Sequence, residues 1–204
     1  MIDARALNWR FLVPDQPSGL LLLPVAEERV PGAVAPERSA EALADALTDH
    51  TYPAVVAPDA GAWCKVAGER AAGLLVRLAA AVAPGGYLYA GFSNPWYPAR
   101  LRARGSLALK RELRILERLG FTGLQAYLAF PSQACPAYLV DASNAACLEY
   151  FVRRISIPYV ERQGARARME RRALRGMRAI AMASPHATRV RFAPAAAVMG
   201  RRPA

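Results

Sequence analysis

Lysine is nearly absent from this chain of 204 residues: Lys65 and Lys110 are the only two among 27 basic side chains. Histidine is as scarce, with His50 and His186 alone, and the cysteines number three, Cys64, Cys135 and Cys147. No Cys-x-x-Cys, His-x-x-x-His or His-Glu-x-x-His occurs, which excludes a metal site legible from spacing. Three widely spaced cysteines are an odd number and make no disulfide framework. They fit thiols in a reducing cytosol, so a cytoplasmic location is expected. Long apolar runs are missing too. Leu20 to Ala26, with Pro24 inside it, is well short of the about 20 residues of a membrane span. The first residues (MIDARALNWR) lack a basic start followed by an apolar stretch, so no secretory leader is expected. Neither an internal repeat nor a low-complexity tract occurs.

What is present is apolar and basic. Apolar residues make up 54% and charged residues 21%, a balance that supports a packed core and excludes wholesale disorder. The length suits one domain, residues 1–204. Against 27 basic residues stand 16 acidic ones, giving a net charge of +11.

Gly19 to Val25 (GLLLLPV) is a continuous apolar run, as in a strand buried on both faces of a parallel sheet. Residues 26 to 38, rich in Pro and Gly, form a loop with room for a short strand at Ala33–Ala35. Ser39 then caps a helix whose apolar positions are Ala40, Leu43, Ala44 and Leu47. Tyr52 to Pro58 is a second buried strand. One helix is expected from Ala62 to Val82, stopped by Ala83–Gly86 (APGG), and Tyr87 to Phe92 is a third strand. Arg104 to Leu119 forms a helix ended by Gly120, and Leu124 to Phe130 a fourth strand. Residues 141 to 183 are mostly helical. Val190 to Met199 is expected as an edge strand that tolerates Pro194, with an apolar edge able to pair two copies. Strands alternating with helices predict an α/β fold with a mainly parallel, Rossmann-like sheet, an antiparallel last strand, and a helical, Arg-rich insertion at about 132–185. Ligands of such sheets lie at the carboxyl ends of the strands. That singles out Pro24–Glu28, Pro58–Trp63 and Ser93–Tyr97.

Residues 74 to 94 (LLVRLAAAVAPGGYLYAGFSN) resemble the helix, Pro-Gly-Gly turn and fifth strand of class I S-adenosylmethionine (SAM)-dependent methyltransferases. Residues 116 to 127 (LERLGFTGLQAY) are similar to the family's next helix and strand, and 188 to 203 (TRVRFAPAAAVMGRRP) to its final antiparallel strand. Phe130 to Phe151 is similar to an insertion of some bacterial members. The resemblance spans the last two thirds of the chain and implies SAM as cofactor. The first third departs from it. The family's Gly-rich loop after the first strand is replaced by Pro24, Val25, Ala26, Glu27 and Glu28, and only about 35 residues separate Leu20 from Ala54. Each missing β-α crossover would need at least about 10–12 residues.

Within the resemblance, Glu27, Glu28, Asp59, Trp63 and Asn94 are the candidate cofactor contacts. Each has a plainer alternative. Glu27 and Glu28 serve equally as solvated loop residues, Asp59 as a helix cap and Trp63 as a lid on the core. Ser93–Asn94–Pro95–Trp96–Tyr97 resembles the Asn-Pro-Pro-Tyr motif of amino-group methyltransferases, although it follows the fifth strand instead of the fourth. Trp96, Tyr97 and Tyr150 then border an acceptor pocket, or pack on a Pro-rich turn. Tyr97 and His50 are the catalytic candidates, His50 as a general base. In RARMERRALRGMRAI, Met169, Leu174, Met177 and Ile180 share one side of a helix. Arg168, Arg171, Arg172, Arg175 and Arg178 then form a basic face for an acidic peptide or protein, or a solvated surface. Nucleic acid is not expected, because no recognition motif or interleaved aromatics accompany the charge. The resulting expectation is methyl transfer from SAM to a small-molecule or peptide natural-product intermediate. The alternative is a degenerate, non-methylating partner, or a lyase- or cyclase-type peptide-maturation protein.

Overall fold

The computed structural model describes residues 4–14, 17–25, 30–97, 105–155, 172, 175–176, 179–191 and 193–204. In chain order the elements are β1 (Leu21–Leu22), α1 (Ala40–Leu47), β2 (Tyr52–Ala57), α2 (Ala60–Ala67), α3 (Ala71–Ala80), β3 (Val82–Ser93), α4 (Leu109–Arg118), β4 (Thr122–Phe130), β5 (Tyr138–Asp141), α5 (Ala145–Tyr150), α6 (His186–Arg191) and β6 (Ala195–Arg201). A 3-10 segment, Ala4–Phe11, precedes β1, and a π-helical turn, Phe151–Ile155, follows α5.

The six strands form one sheet in the order β1-β2-β3-β6-β4-β5. The pairs β1–β2 and β2–β3 are parallel, whereas β6 is antiparallel to both β3 and β4, and β5 to β4. Four strands, β1 to β4, therefore run one way, and the C-terminal strand runs against them inside the sheet. This is the Rossmann-like arrangement that the alternation of elements predicts. Leu21 also bridges Val34 in parallel, so the short strand expected at 33–35 survives as a single pairing.

Side-chain alternation divides the core between the two faces. On one face Leu21, Val55, Leu88, Ala90, Phe92 and Val198 pack beneath α1 to α4, through Leu43, Trp63, Leu74, Leu75, Leu78 and Leu116. On the other, Leu22, Val56, Tyr89, Ala197 and Met199 pack against Trp9 and Val13. Burial pushes the Tyr89 phenol well up. A third cluster, near β4 and β5, joins Leu128 and Val140 to Leu148, Phe151 and Val152.

Several boundaries differ from expectation. The single helix over 62–82 is two, because Gly68 caps α2 at φ 68°, with its N–H donating to the Cys64 carbonyl. Ala83–Gly86 does not end a helix: α3 stops at Ala80, and β3 runs through the Pro-Gly-Gly segment, where Gly85 at φ 76° donates to the Arg202 carbonyl. Strand β5 was not expected, and it places a strand inside the insertion. Val190 and Arg191 end α6 instead of opening a strand. Finally, β6 is no edge strand: it is hydrogen-bonded on both sides, so it offers no edge for pairing two copies. Pro194 lies just before it. Among the described residues, no helix is long and apolar enough to cross a membrane.

Candidate functional site

Polar side chains are rarely buried without a partner or a purpose. Among the described residues four buried side chains are polar or charged, and three of them, Ser93, Asn94 and Gln133, gather at the carboxyl end of β3. The fourth is Glu112.

A cleft of about 100 Å³ opens there, lined by Asp59, Gly61, Ala62, Lys65, Ser93, Gly105, Ser132, Gln133 and Ala134. Asp59 caps α2, its Oδ1 accepting from the Ala62 N–H at 3.2 Å. The same oxygen accepts from Gln133 Nε2 at 2.8 Å, and that nitrogen also donates to Ser93 Oγ at 3.0 Å. One amide thus ties the start of α2, the end of β3 and the loop after β4 together. Gly91 makes this possible. A Cβ there would collide with the Pro58 carbonyl, and the Gln133 Cβ lies 3.1 Å from where it would stand. The cleft floor is set by a second close approach. Gly61 and Gly105 meet backbone to backbone, and a Cβ on either would strike the other's carbonyl oxygen.

Asn94 anchors the next loop. Its Nδ2 donates to the carbonyls of Arg191 (2.7 Å) and Ala193 (2.8 Å), and its Oδ1 accepts from the Trp96 N–H at 3.0 Å. The amide is therefore used in holding the end of α6 to the end of β3. Trp96 is 46% exposed, with the Arg191 guanidinium 4.2 Å from its ring centroid. Tyr97 follows it, half-buried, its N–H donating to the Asn94 carbonyl.

The expected residues are thus distributed unevenly. Asp59 lies in the cleft, and Trp96 and Tyr97 lie on the loop beyond it. Trp63 is fully buried in the helical-face core, and its Nε1 donates to the Pro24 carbonyl at 3.2 Å. It is a core residue that pins the exit of β1, with no face left for a ligand. His50 is exposed, two residues before β2, while the cleft lies beyond that strand's other end. At about 3.3 Å per residue the six residues of β2 put roughly 20 Å between them, so Tyr97 and His50 form no pair. Tyr150 is exposed at the end of α5. Arg172 and Arg175 are exposed, and Glu27, Glu28, Arg168, Arg171 and Arg178 lie outside the described residues.

Gln133 and the Gly61–Gly105 contact had no sequence signal beyond a polar loop, since nothing in PSQACPAY marks one glutamine as buried. Cys64, beneath the cleft, is inert. Burial, then the charges of Glu69 and Asp59, push its thiol up to about 12, so it stays protonated. No disulfide links the three cysteines. Among the described residues no group of three metal-ligating side chains occurs.

The described residues fit the SAM cofactor only in part. The chain has no glycine between Leu20 and Gly32, and the Trp63 indole holds the Pro24 carbonyl where close backbone approach to a ligand is needed. The cleft is smaller than the about 300–1,000 Å³ of ordinary small-molecule sites.

No protein-family model matches the chain, and no curated protein does. Solved structures do. The chain is similar to a SAM-dependent methyltransferase from Archaeoglobus fulgidus, with a TM-score of 0.50 at 12% identity over 98% of this chain and 93% of that one. It is also similar to a SAM-dependent methyltransferase from Thermotoga maritima, named a possible histamine N-methyltransferase, with a TM-score of 0.49 at 10% identity over 98% and 87%. The fold is that of a class I SAM-dependent methyltransferase.

Proposed function

We propose that the protein acts at the carboxyl-end cleft as a methyltransferase-like enzyme, with SAM as methyl donor and a small-molecule or peptide natural-product intermediate as acceptor. The observation that carries this reading is the gathering of Ser93, Gln133 and Asp59 at the carboxyl ends of β2 and β3, where sheets of this type bind ligands. Bound SAM would supply an activated methyl group. The chain's own part is positioning and proton handling. Gln133 holds the Asp59 carboxylate toward the cleft, Lys65 adds a cation at the rim, and Tyr97 and Trp96 border the acceptor side. Holding two reactants in line is the main requirement of such a transfer. A cytosolic setting is supported by three cysteines without a disulfide.

A second reading is favoured by the exit of β1. Where the family has glycines, this chain has Pro24, held by Trp63. A methyltransferase fold that has lost methyl chemistry would serve instead as a binding partner or a peptide-maturation protein of lyase or cyclase type, recognising an acidic peptide or protein.

Isothermal titration with SAM and S-adenosylhomocysteine separates the two. Saturable binding in the micromolar range supports methyl transfer. No heat at millimolar ligand, with the protein folded by circular dichroism, removes it and leaves the second reading.

A further inference from the structure

The cleft holds hydrogen-bonding groups that the protein itself does not use. Asp59, as a carboxylate, can only accept, so the Gln133 nitrogen must be the amide atom that faces it. That nitrogen donates to Asp59 Oδ1 and to Ser93 Oγ. Gln133 Oε1 is then left without a partner among the described residues, although the side chain is only 5% exposed. Unlike the Glu112 oxygens it is not sealed from solvent, so it opens on the cleft that Gln133 lines. Asp59 leaves a second acceptor. Its Oδ1 takes both the Ala62 N–H and the Gln133 amide, and no described residue engages Oδ2. Ser93 leaves a donor: its oxygen accepts from Gln133, and its own O–H finds no acceptor among the described residues.

Lys65 completes the set. It stands in the last turn of α2, about 9 Å along the axis from the cap at Asp59. It is exposed and lines the same cleft. Among the described residues neither Asp59 nor Lys65 makes an ion pair. The acid and the hydroxyl are closer together, because both bond the one Gln133 nitrogen. Two unused acceptors, Asp59 Oδ2 and Gln133 Oε1, therefore border the same small space as two unused donors, the Ser93 hydroxyl and the Lys65 ammonium.

An ion of one sign does not match this set. A simple anion would meet the Asp59 carboxylate. A simple amine would leave Lys65 and the Ser93 hydroxyl without a counterpart. A metal ion would find a single carboxylate, and no group of three ligating side chains occurs among the described residues. A match needs an ammonium and a carboxylate close enough to share a cleft of about 100 Å³. We infer that the cleft binds the α-amino-acid head group of a ligand. The ammonium lies on Asp59 Oδ2 and Gln133 Oε1, and the carboxylate on the Ser93 hydroxyl and Lys65, each through charge-assisted hydrogen bonds. The inference rests on the proposed function only for the ligand's role. The head group can belong to the acceptor or to SAM, whose methionine end is itself an α-amino acid.

The test follows amide signals of the full, isotope-labelled chain during titration with L-alanine, ethylamine and propionate. The first carries both charges and each of the others one. L-alanine is expected to shift Gly61, Ser93, Gly105 and the Gln133 side-chain amide saturably at millimolar concentration. Ethylamine and propionate are expected to bind at least about tenfold more weakly, since each leaves charged partners unmatched. Asp59→Asn keeps a capping oxygen at the start of α2 and is expected to weaken L-alanine by more than about tenfold. Lys65→Met is expected to weaken it less, because that charge is exposed. S-adenosylhomocysteine against methylthioadenosine, which lacks the amino-acid end, identifies the source. Shifts at these groups with S-adenosylhomocysteine but not methylthioadenosine assign the head group to SAM, and shifts with L-alanine alone assign it to the acceptor. The inference is overturned if neither L-alanine nor S-adenosylhomocysteine moves these groups, if ethylamine or propionate matches L-alanine, or if Asp59→Asn binds undiminished. L-alanine binding without S-adenosylhomocysteine binding removes methyl transfer and keeps the head-group site. Methylthioadenosine moving these groups as strongly as S-adenosylhomocysteine, with L-alanine inert, does the reverse.

Discussion

The two sides of the sheet's parallel half are built to different standards. On the β3 side, β3 runs for twelve residues and pairs with β2 and β6 along most of its length. On the β1 side, two residues pair with β2 and one bridges Val34. The helical face above β3 holds Leu74, Leu75, Leu78 and Leu88, all fully buried, whereas the opposite face relies on Trp9 of the N-terminal 3-10 segment and Val13 just after it. The lesson is one of priority. The framework that positions the cleft is complete, and the β1 side is reduced to its minimum.

The largest effects are expected when each side is hollowed out in turn. Leu88→Ala should cost near the upper end of the about 2–5 kcal/mol seen for buried leucines, because its surroundings cannot collapse. Leu22→Ala, equally buried, should cost nearer the lower end, since the thin β1 side can relax. Urea midpoints measure both, and equal costs would refute the difference in construction.

A smaller effect is expected where backbones touch. Gly61→Ala should lose about 1–3 kcal/mol through overpacking against the Gly105 carbonyl, with the thermal midpoint as readout. An unchanged midpoint would mean that the two glycines are not in contact.

Asn94→Ala should lose about 1–3 kcal/mol, because two carbonyls are left unpaired. Its signature is local: amide exchange should speed up in α6 before the core is affected.

The last prediction concerns pH. Glu112 is fully buried, no hydrogen bond from the described residues reaches either carboxyl oxygen, and burial raises its pKa well above 4.5. Above about pH 4.5 the unfolded chain releases this proton while the folded one keeps it. Stability should therefore fall as pH rises through that window, by up to about 1.4 kcal/mol per pH unit. Glu112→Gln should flatten the slope and be the more stable protein at neutral pH. Unfolding midpoints from pH 4.5 to 8 decide this, and an identical slope in both proteins would contradict it.

Much of the framework was legible because its signals are local. Ser39 caps α1 as its position before an apolar repeat predicts, accepting from the Ala42 N–H at 3.0 Å. Gly120 ends α4's turn at φ 80°. The apolar runs of β2 and β3 needed no partner to be recognised. Local periodicity misled at Gly68, where apolar spacing continues across a left-handed residue that ends one helix and lets another begin. Long-range contacts were illegible. Strand β5 exists because β4 offers it an edge, and Val190–Arg191 stays helical where Asn94, 97 residues away in sequence, takes the Arg191 carbonyl. The site divided in the same way. Asp59 could be named from its place after a strand, but Gln133 could not, since its burial depends on the bare surface of Gly91.

If the protein acts as proposed, S-adenosylhomocysteine sits in the cleft at the carboxyl ends of β2 and β3. Amide chemical shifts of the labelled protein, followed during titration with S-adenosylhomocysteine, decide whether it does. Saturable shifts are expected at Gly61, Ser93, Gly105 and the Gln133 side-chain amide, with β5 and α5 unmoved. Shifts confined to other elements, or none at millimolar ligand, would rule this placement out.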